Sequence, residues 1–491
     1  MRLSRFTECL NGLTVRINGL LEGEVYSISI DSNNCEKGAL YVCLCGQRTD
    51  GHEYAAQAVK NGAVAIVCER ALPMAIPQII VENTRKALGR LAAEFYGNAA
   101  QYLKIIGITG TNGKTTTSYM LAEILKTAGK KVGIIGTLGV VYGGKRQALS
   151  LTTPDPIELH RIFAEMRLAG VEYVVMEVSA HALYHYKTEG VFFYRTVFTN
   201  FTQDHLDFFS DMESYKETKL RLFKEKGGVA VVNGDTETGR EIVRLREKKG
   251  EKTILYGLNS PADAFAVITE EGLYGTECML NINDALCRIS LSLTGKHNVY
   301  NALAAATCAM TMGIQGDAVT DGLSNLSFVE GRLQRVAAFH GGDVFVDFAH
   351  TPDGLKNVLA GLKGYCKGRL ICLFGCGGNR DKIKRGLMGE IAARLSDFTV
   401  LTSDNPRYED PLDILSEIEK GYRRFSAKYV IVPDRKCALS YALDFMQKGD
   451  VLLVAGKGGE RYQEVMGIKY PFNDHDIIKE LLEQKGKTLP L

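Results

Sequence analysis

Residues 105–117 read Ile105-Ile106-Gly107-Ile108-Thr109-Gly110-Thr111-Asn112-Gly113-Lys114-Thr115-Thr116-Thr117. An apolar run passes directly into a glycine turn that ends on Lys114 and Thr115, and the helix-like stretch TTSYMLAEILKTAG follows. A strand that breaks into glycines and then opens a helix points backbone N–H groups at an anion. A lysine ammonium reaches the outer phosphates, and a threonine hydroxyl can ligate Mg²⁺. The full P-loop spacing would put glycine where Ile108 stands, so this is a shortened form, GTNGKT. The expected phosphate cradle is Gly110, Thr111, Asn112, Gly113, Lys114, Thr115 and Thr116.

Outward from this loop, short β-branched runs alternate with amphipathic stretches and glycine turns, the pattern of an α/β protein with mostly parallel sheets. YVVMEVS, RTVFTNF and GGVAVVNGD are apolar runs that break at polar residues. Past Gly331 the same logic recurs in DVFVDFAHTPD, RLICLFGCGGNRD, FTVLTSDNPR and DVLLVAGKGGE, four strands each followed by a polar cluster. In an open α/β sheet such clusters line one crevice, which predicts a second ligand surface. At 491 residues the chain exceeds one hydrophobic core, and three domains are expected, at 1–98, 99–331 and 332–491.

The whole-chain properties exclude several classes. With 59 basic and 57 acidic residues the net charge is +2, which suggests neither nucleic acid nor an acidic membrane surface as partner. The 12 cysteines include no CxxC pair, and the chain reads as a cytosolic protein with reduced thiols. No stretch approaches the length of a membrane span, and the N-terminus lacks the apolar core of a signal peptide.

Three further groups carry chemistry. Glu177 ends the strand YVVMEVS, where a carboxylate is expensive to bury unless it meets a cation. A Mg²⁺ shared with Thr115 would supply one; a rim glutamate is the plainer alternative. Asn200, Asp204, His205 and Asp207 crowd the segment FTNFTQDHLDFF after another strand. His297, Asn298 and Asn301 fall on the first turn of LTGKHNVYNALAAA, where asparagine also serves as a helix cap.

GTNGKTTT, MEVSAHAL, TNFTQDHLD, GKHNVYNALAA, GRLQRV and DFAHTPD occur in the order found in the Mur ligases, which also include folylpolyglutamate synthetases. The chain resembles that family over essentially its whole length, most closely its tripeptide-forming type. The resemblance implies a central P-loop-type domain between an N-terminal UDP-binding α/β domain and a C-terminal Rossmann-like one. It implies small-molecule substrates and a bacterial cytoplasmic location; the oligomeric state stays open, with a monomer expected. ATP would phosphorylate the terminal carboxylate of UDP-N-acetylmuramoyl-L-alanyl-D-glutamate, and an amine would displace phosphate from the acyl phosphate. Lys114 and two Mg²⁺ ions would neutralise the charge.

By the same resemblance Lys219 is the lysine the family carbamylates to N6-carboxylysine, which joins Thr115, Glu177 and His205 as a metal ligand. His297, Asn298 and Asn301 match the adenine-side motif, and Arg332 and Asp347 lie near ATP and its ribose. Ile30, Ser32, Gln47, Arg48 and Thr49 match the uridine segments; Thr152, Thr153, Ser179 and Lys187 match muramoyl-peptide positions. Many relatives carry arginine at the positions of Asn33 and Lys187, and histidine at that of Gly459.

Asp404, Asn405, Pro406 and Arg407 form DNPR, the version associated with meso-2,6-diaminopimelate, with Arg380, Gly456 and Glu460 as further contacts. A guanidinium can grip the distal carboxylate of diaminopimelate through two parallel hydrogen bonds. L-Lysine has no such group and would leave Arg407 unpaired. Lysine addition or a divergent paralogue stays open at this level. So does, from the loop alone, a nucleotide-dependent binding protein or switch.

Overall fold

The computed structural model describes residues 1–46, 49–224, 227–282, 284–425 and 428–485. By internal contacts the chain forms two compact units, one of Met1–Gly107 with Lys131–Arg195 and the other of Ile108–Lys130 with Thr196–Leu491. The strands Lys104–Thr109 and Phe193–Phe198 straddle the division.

In the first unit a five-stranded sheet runs in the order Thr14–Asn18, Gln78–Val81, Ala63–Cys68, Ala39–Val42, Ser27–Ser29. Thr14–Asn18 is antiparallel to its neighbour and the other pairings are parallel. Ala39–Val42 is buried at every position, as a parallel strand with both faces covered must be. The helix Thr84–Phe95 is capped by Asn83, whose side chain accepts from the Lys86 N–H. The same unit holds the strand series Tyr173–Glu177, Val132–Gly136, Gly139–Tyr142 and Lys145–Gln147, parallel between the first two and antiparallel beyond.

The second unit carries Phe193–Phe198, Val229–Asn233, Thr253–Gly257, Ala264–Gly272, Gly275–Ile282 and Ala285–Leu291 side by side. The last three form an antiparallel meander, and Gly275–Ile282 alternates between buried and half-buried positions, the period-two signature of a strand with one wet face. The helices Lys114–Thr127 and Lys296–Thr311 belong to this part.

A six-stranded sheet completes the unit in the order Gln334–Phe339, Gly342–Asp347, Val451–Ala455, Leu370–Phe374, Phe398–Leu401, Tyr429–Ile431. All its pairings are parallel except the first. Asp347 lies in register with Ala455, and Phe374 with Leu401. The four polar clusters anticipated from the sequence therefore leave one edge of one sheet. Apolar clusters cover both faces, Leu355, Leu359 and Ile418 on one and Leu439, Leu443 and Ile478 on the other. The α/β class with mostly parallel sheets is the observed architecture. All 12 cysteines are free, most of them buried. Among the described residues no helix is long and apolar enough to cross a membrane.

Candidate active site

The helix Lys114–Thr127 is capped by Gly113 at φ +86° with no side-chain cap. A Cβ on Gly113 would stand 2.3 Å from Asn301 Oδ1, and one on Gly110, at φ +151°, only 1.9 Å from Thr199 Oγ1. Both positions thus require glycine for close approach as well as for backbone angle. The loop is held from behind by the segment after Phe193–Phe198. Asn200 O accepts from the Thr111 N–H at 2.9 Å, Asn200 Oδ1 from the Asn112 N–H at 2.8 Å, and Thr199 Oγ1 donates to Asn112 O at 2.7 Å. Thr115 and Thr116 are buried in the first turn.

Two lysines meet under this loop. Lys114 Nζ donates to the carbonyls of Gly110 and Thr111, both at 2.9 Å. Lys219 Nζ, 2 % exposed, donates to the same Gly110 carbonyl at 2.9 Å. Burial, reinforced by the Lys114 charge, holds the Lys219 amine well below the ordinary lysine range.

The asparagines of the second helix are not caps. Gly295 occupies the N-cap with no side-chain bond. Asn298 Nδ2 donates to Thr294 O at 2.8 Å, Asn301 Nδ2 donates to Asn298 Oδ1 at 3.1 Å, and Asn301 Oδ1 accepts from Thr117 Oγ1 at 3.3 Å. The pair ties this helix to the helix that follows the glycine loop. Burial lowers His297 to about 4, so its imidazole is neutral at pH 7.

Residues near the six-stranded sheet reach the same loop. Arg332 Nη2 donates to Thr115 Oγ1 at 2.8 Å, with its guanidinium 4.4 Å from the centre of the Phe348 ring. Asn112 Nδ2 donates to Asp353 Oδ2 at 3.1 Å. Asp347 accepts from the Leu333 and Ala349 N–H groups, both at 2.6 Å. Burial raises its carboxyl above the usual range.

Asp204 gathers basic side chains around it: His205 Nε2 at 3.5 Å, His350 Nε2 at 3.7 Å and Lys384 Nζ at 3.8 Å. Burial opposes its ionisation, but these groups outweigh that and hold the carboxyl well below its ordinary value. Asp207 meets Arg380 at 3.5 Å. Thr199, His350, Asp353 and Lys384 were not singled out by sequence reading. Their signal was position alone, just after a strand or early in a helix.

At the opposite end of the sheet edge, Arg407 sits at φ +52° with its backbone tied to Glu464 O and Met466 N. Its Nη1 donates to Gly378 O at 2.8 Å and its Nε faces Glu464 Oε2 at 3.2 Å. Asp404 and Asn405 are buried beside it, and Pro406 precedes it. Asn405 Nδ2 donates to Glu460 Oε2 at 2.9 Å. Gly456, at φ +110°, donates its N–H to Asp347 O at 3.1 Å.

In the first unit Glu177 is 1 % exposed, which overturns the rim alternative. Its carboxylate accepts from the Thr137 N–H at 2.9 Å and the Thr137 hydroxyl at 3.0 Å. Thr152 Oγ1 lies 3.3 Å from Thr137 Oγ1. Thr153 Oγ1 donates to Glu177 O at 2.9 Å and accepts from the Ser179 N–H at 3.1 Å. Ser179 caps the next short helix. Lys187 Nζ pairs with Asp155 at 2.8 Å. Ser32 is buried, whereas Ile30 and Thr49 are exposed; Gln47 and Arg48 lie outside the described residues. Nearby, Cys45, Asp50 and His52 cluster as metal ligands might, but the Glu69 N–H donates to His52 Nε2 at 2.9 Å. That leaves Nδ1 as the protonated nitrogen, donating to Asp50 at 2.6 Å with no lone pair for a metal.

Family models match the chain in three segments: Mur ligase family, catalytic domain over residues 24–96; Mur ligase middle domain over 108–309; and Mur ligase, glutamate ligase domain over 331–458. The UDP-N-acetylmuramoyl-L-alanyl-D-glutamate--2,6-diaminopimelate ligase of Caldanaerobacter subterraneus subsp. tengcongensis is 40% identical, over 98% of this chain and 100% of its own. The ligase of that name from Bacillus velezensis is 39% identical over 99% and 100%. A solved structure of a ligase of that name superposes with TM-score 0.71 at 29% identity, covering 98% of this chain and 99% of the other. The MurF ligase of Thermotoga maritima in complex with ADP superposes with TM-score 0.62 at 21% identity, over 94% and 97%, a likeness of fold. On this full-length similarity, the chain belongs to the Mur ligase family.

Proposed function

We propose that the protein is the ATP-dependent ligase that joins meso-2,6-diaminopimelate to UDP-N-acetylmuramoyl-L-alanyl-D-glutamate in peptidoglycan precursor synthesis. The observation that carries this reading is the full-length 40% identity to ligases of that name, in a chain that keeps both the phosphate loop and the DNPR segment. The three proposed domains are 1–98 for the UDP-sugar, 99–331 for ATP and 332–491 for the amino acid. A bacterial cytoplasmic monomer is the accompanying proposal.

ATP phosphates rest on the Gly110–Thr116 backbone, with Lys114 compensating the charge of the transferred phosphoryl group. Mg²⁺, when bound, screens phosphate charge and fixes phosphate orientation. Thr115, His205 and Lys219 as carbamate are its proposed ligands in the second unit, and Glu177 is the one proposed in the first. The chemistry of Lys219 suits that role. A buried amine held neutral by desolvation can attack CO₂, forming an N–C bond and releasing one proton. The product is an anion beside Lys114, where two ammonium groups would repel. His297, Asn298, Asn301, Arg332 and Asp347 are proposed for the adenosine, and Ile30, Ser32, Thr49, Thr152, Thr153, Ser179 and Lys187 for the UDP-muramoyl dipeptide.

For the amino acid, Arg407 is pinned through its backbone, by Gly378 O and by Glu464, so its guanidinium is pre-oriented and offers its remaining N–H groups to a substrate carboxylate. Arg380, Asp404, Asn405, Pro406, Gly456 and Glu460 complete this proposed subsite. L-Lysine as acceptor would leave the guanidinium without its carboxylate. The purified protein, given ATP, Mg²⁺, the UDP-muramoyl dipeptide and each amino acid, should release phosphate and form tripeptide with diaminopimelate. L-Lysine should be slower by about a hundredfold or more. No phosphate release with any amino acid, or equal rates with both, would overturn the reading.

A further inference from the structure

We infer that Lys457 is a positioning residue for the amino-acid substrate: it locks one oxygen of Glu460 so that the other remains the acceptor for the substrate's distal ammonium. The inference rests on the proposed role of Glu460 and adds the residue that makes that role possible.

Lys457 follows the strand Val451–Ala455 and its side chain is 0 % exposed. A buried ammonium is costly unless charge and hydrogen bonds compensate it. Here Nζ donates to Glu460 Oε2 at 2.9 Å and to Asn405 Oδ1 at 3.0 Å. Asn405 Nδ2 in turn donates to the same Glu460 Oε2 at 2.9 Å. Three side chains thus close a ring. Its sense is unambiguous, because Asn405 Oδ1 also accepts the Glu464 N–H at 2.9 Å, and two donors require an oxygen there.

The ring spends Glu460 Oε2 twice, while Oε1 accepts no hydrogen bond among the described residues. The Glu460 side chain is 24% exposed. A carboxylate fixed at one oxygen and open at the other is a preorganised acceptor for an ammonium. Arg407, Arg380, Glu460 and Glu464 all lie within electrostatic reach of the Tyr462 hydroxyl. Without Lys457 the Glu460 carboxylate keeps only the Asn405 hydrogen bond and loses the fixed orientation that aims its second oxygen at the substrate ammonium. Asn405 sits within DNPR, so the ring also ties this segment to the loop after Val451–Ala455.

The test is steady-state kinetics of the full-length enzyme with each of the three substrates varied, for wild type, K457M, E460Q and K457M/E460Q. K457M should raise the KM for diaminopimelate by about tenfold or more. The KM values for ATP and the UDP-muramoyl dipeptide should stay within about twofold. In the E460Q background, K457M should have little further effect on the diaminopimelate KM, because Lys457 acts through Glu460. If K457M shows no thermal unfolding transition, the same cycle is read on K457Q. An unchanged diaminopimelate KM overturns the inference, as does a parallel rise in all three KM values or effects that multiply in the double variant. Wild-type protein that makes no tripeptide with diaminopimelate overturns the underlying functional reading, a result distinct from these.

Discussion

Lys114 and Lys219 donate to one carbonyl, that of Gly110, each at 2.9 Å. A half-buried ammonium and a fully buried amine on one acceptor oppose each other's charge, and the burden falls on Lys219, whose amine is driven well below its ordinary range. Carbamylation removes the conflict. In bicarbonate buffer native mass spectrometry should find the active enzyme heavier by one CO₂. K219A should lose about 10²–10³ in kcat and recover part of it with added short-chain carboxylates. Unmodified Lys219 in fully active enzyme would end the carbamate proposal.

Gly113→Ala tests the loop itself. The new Cβ meets Asn301 Oδ1 at 2.3 Å on a backbone at φ +86°. Denaturant unfolding should show a loss of about 1–3 kcal/mol, and the KM for ATP should rise. A variant with unchanged stability and ATP affinity would contradict the packing of this loop on Asn301.

Arg407→Lys keeps the charge and removes the planar fork. The KM for diaminopimelate should rise about 10–100-fold, as expected for loss of charge-assisted hydrogen bonds, with ATP affinity unchanged. Equal use of diaminopimelate by wild type and variant would remove Arg407 from the specificity argument.

Glu409 offers a pH test. It pairs with the fully buried Arg385 at 2.9 Å and accepts the Asn379 N–H, fixing the loop that carries Arg380. The hydrogen bond from Arg385 is the main cause that lowers its pKa from 4.5 to about 2. The folded state therefore binds fewer protons than the unfolded chain between those values, and the stabilisation present above pH 4.5 is lost as pH falls towards 2. Glu409→Gln should lower stability at neutral pH and flatten the acid limb of the stability profile. An acid limb of wild-type slope would show that Glu409 does not carry it.

Much of the fold was legible because its signals are local. Strand-to-glycine transitions at Gly110 and the four strand ends of the last sheet depend on neighbours in the chain, and Phe374 and Leu401 leaving the same edge follows from parallel pairing. The first-turn asparagines show where local reasoning failed. Asn298 and Asn301 have capping chemistry near a helix start, but the helix begins at Lys296 with Gly295 as its cap, and Asn301 bonds Asn298 and Thr117 instead. A side chain chooses the partner with the least solvent competition, and that partner came from another helix.

By itself the sequence determined the α/β class, the glycine loop that opens a helix and the candidate polar clusters, because periodicity and turn chemistry act between residues a few positions apart. Only the tertiary structure decided that Lys219, 109 residues from Gly110, shares its carbonyl with Lys114. It likewise decided that Lys457 closes a ring with Asn405, 52 residues away, and Glu460. Charges and hydrogen bonds are settled by distance and dielectric after the chain is buried, and neither quantity exists along the chain.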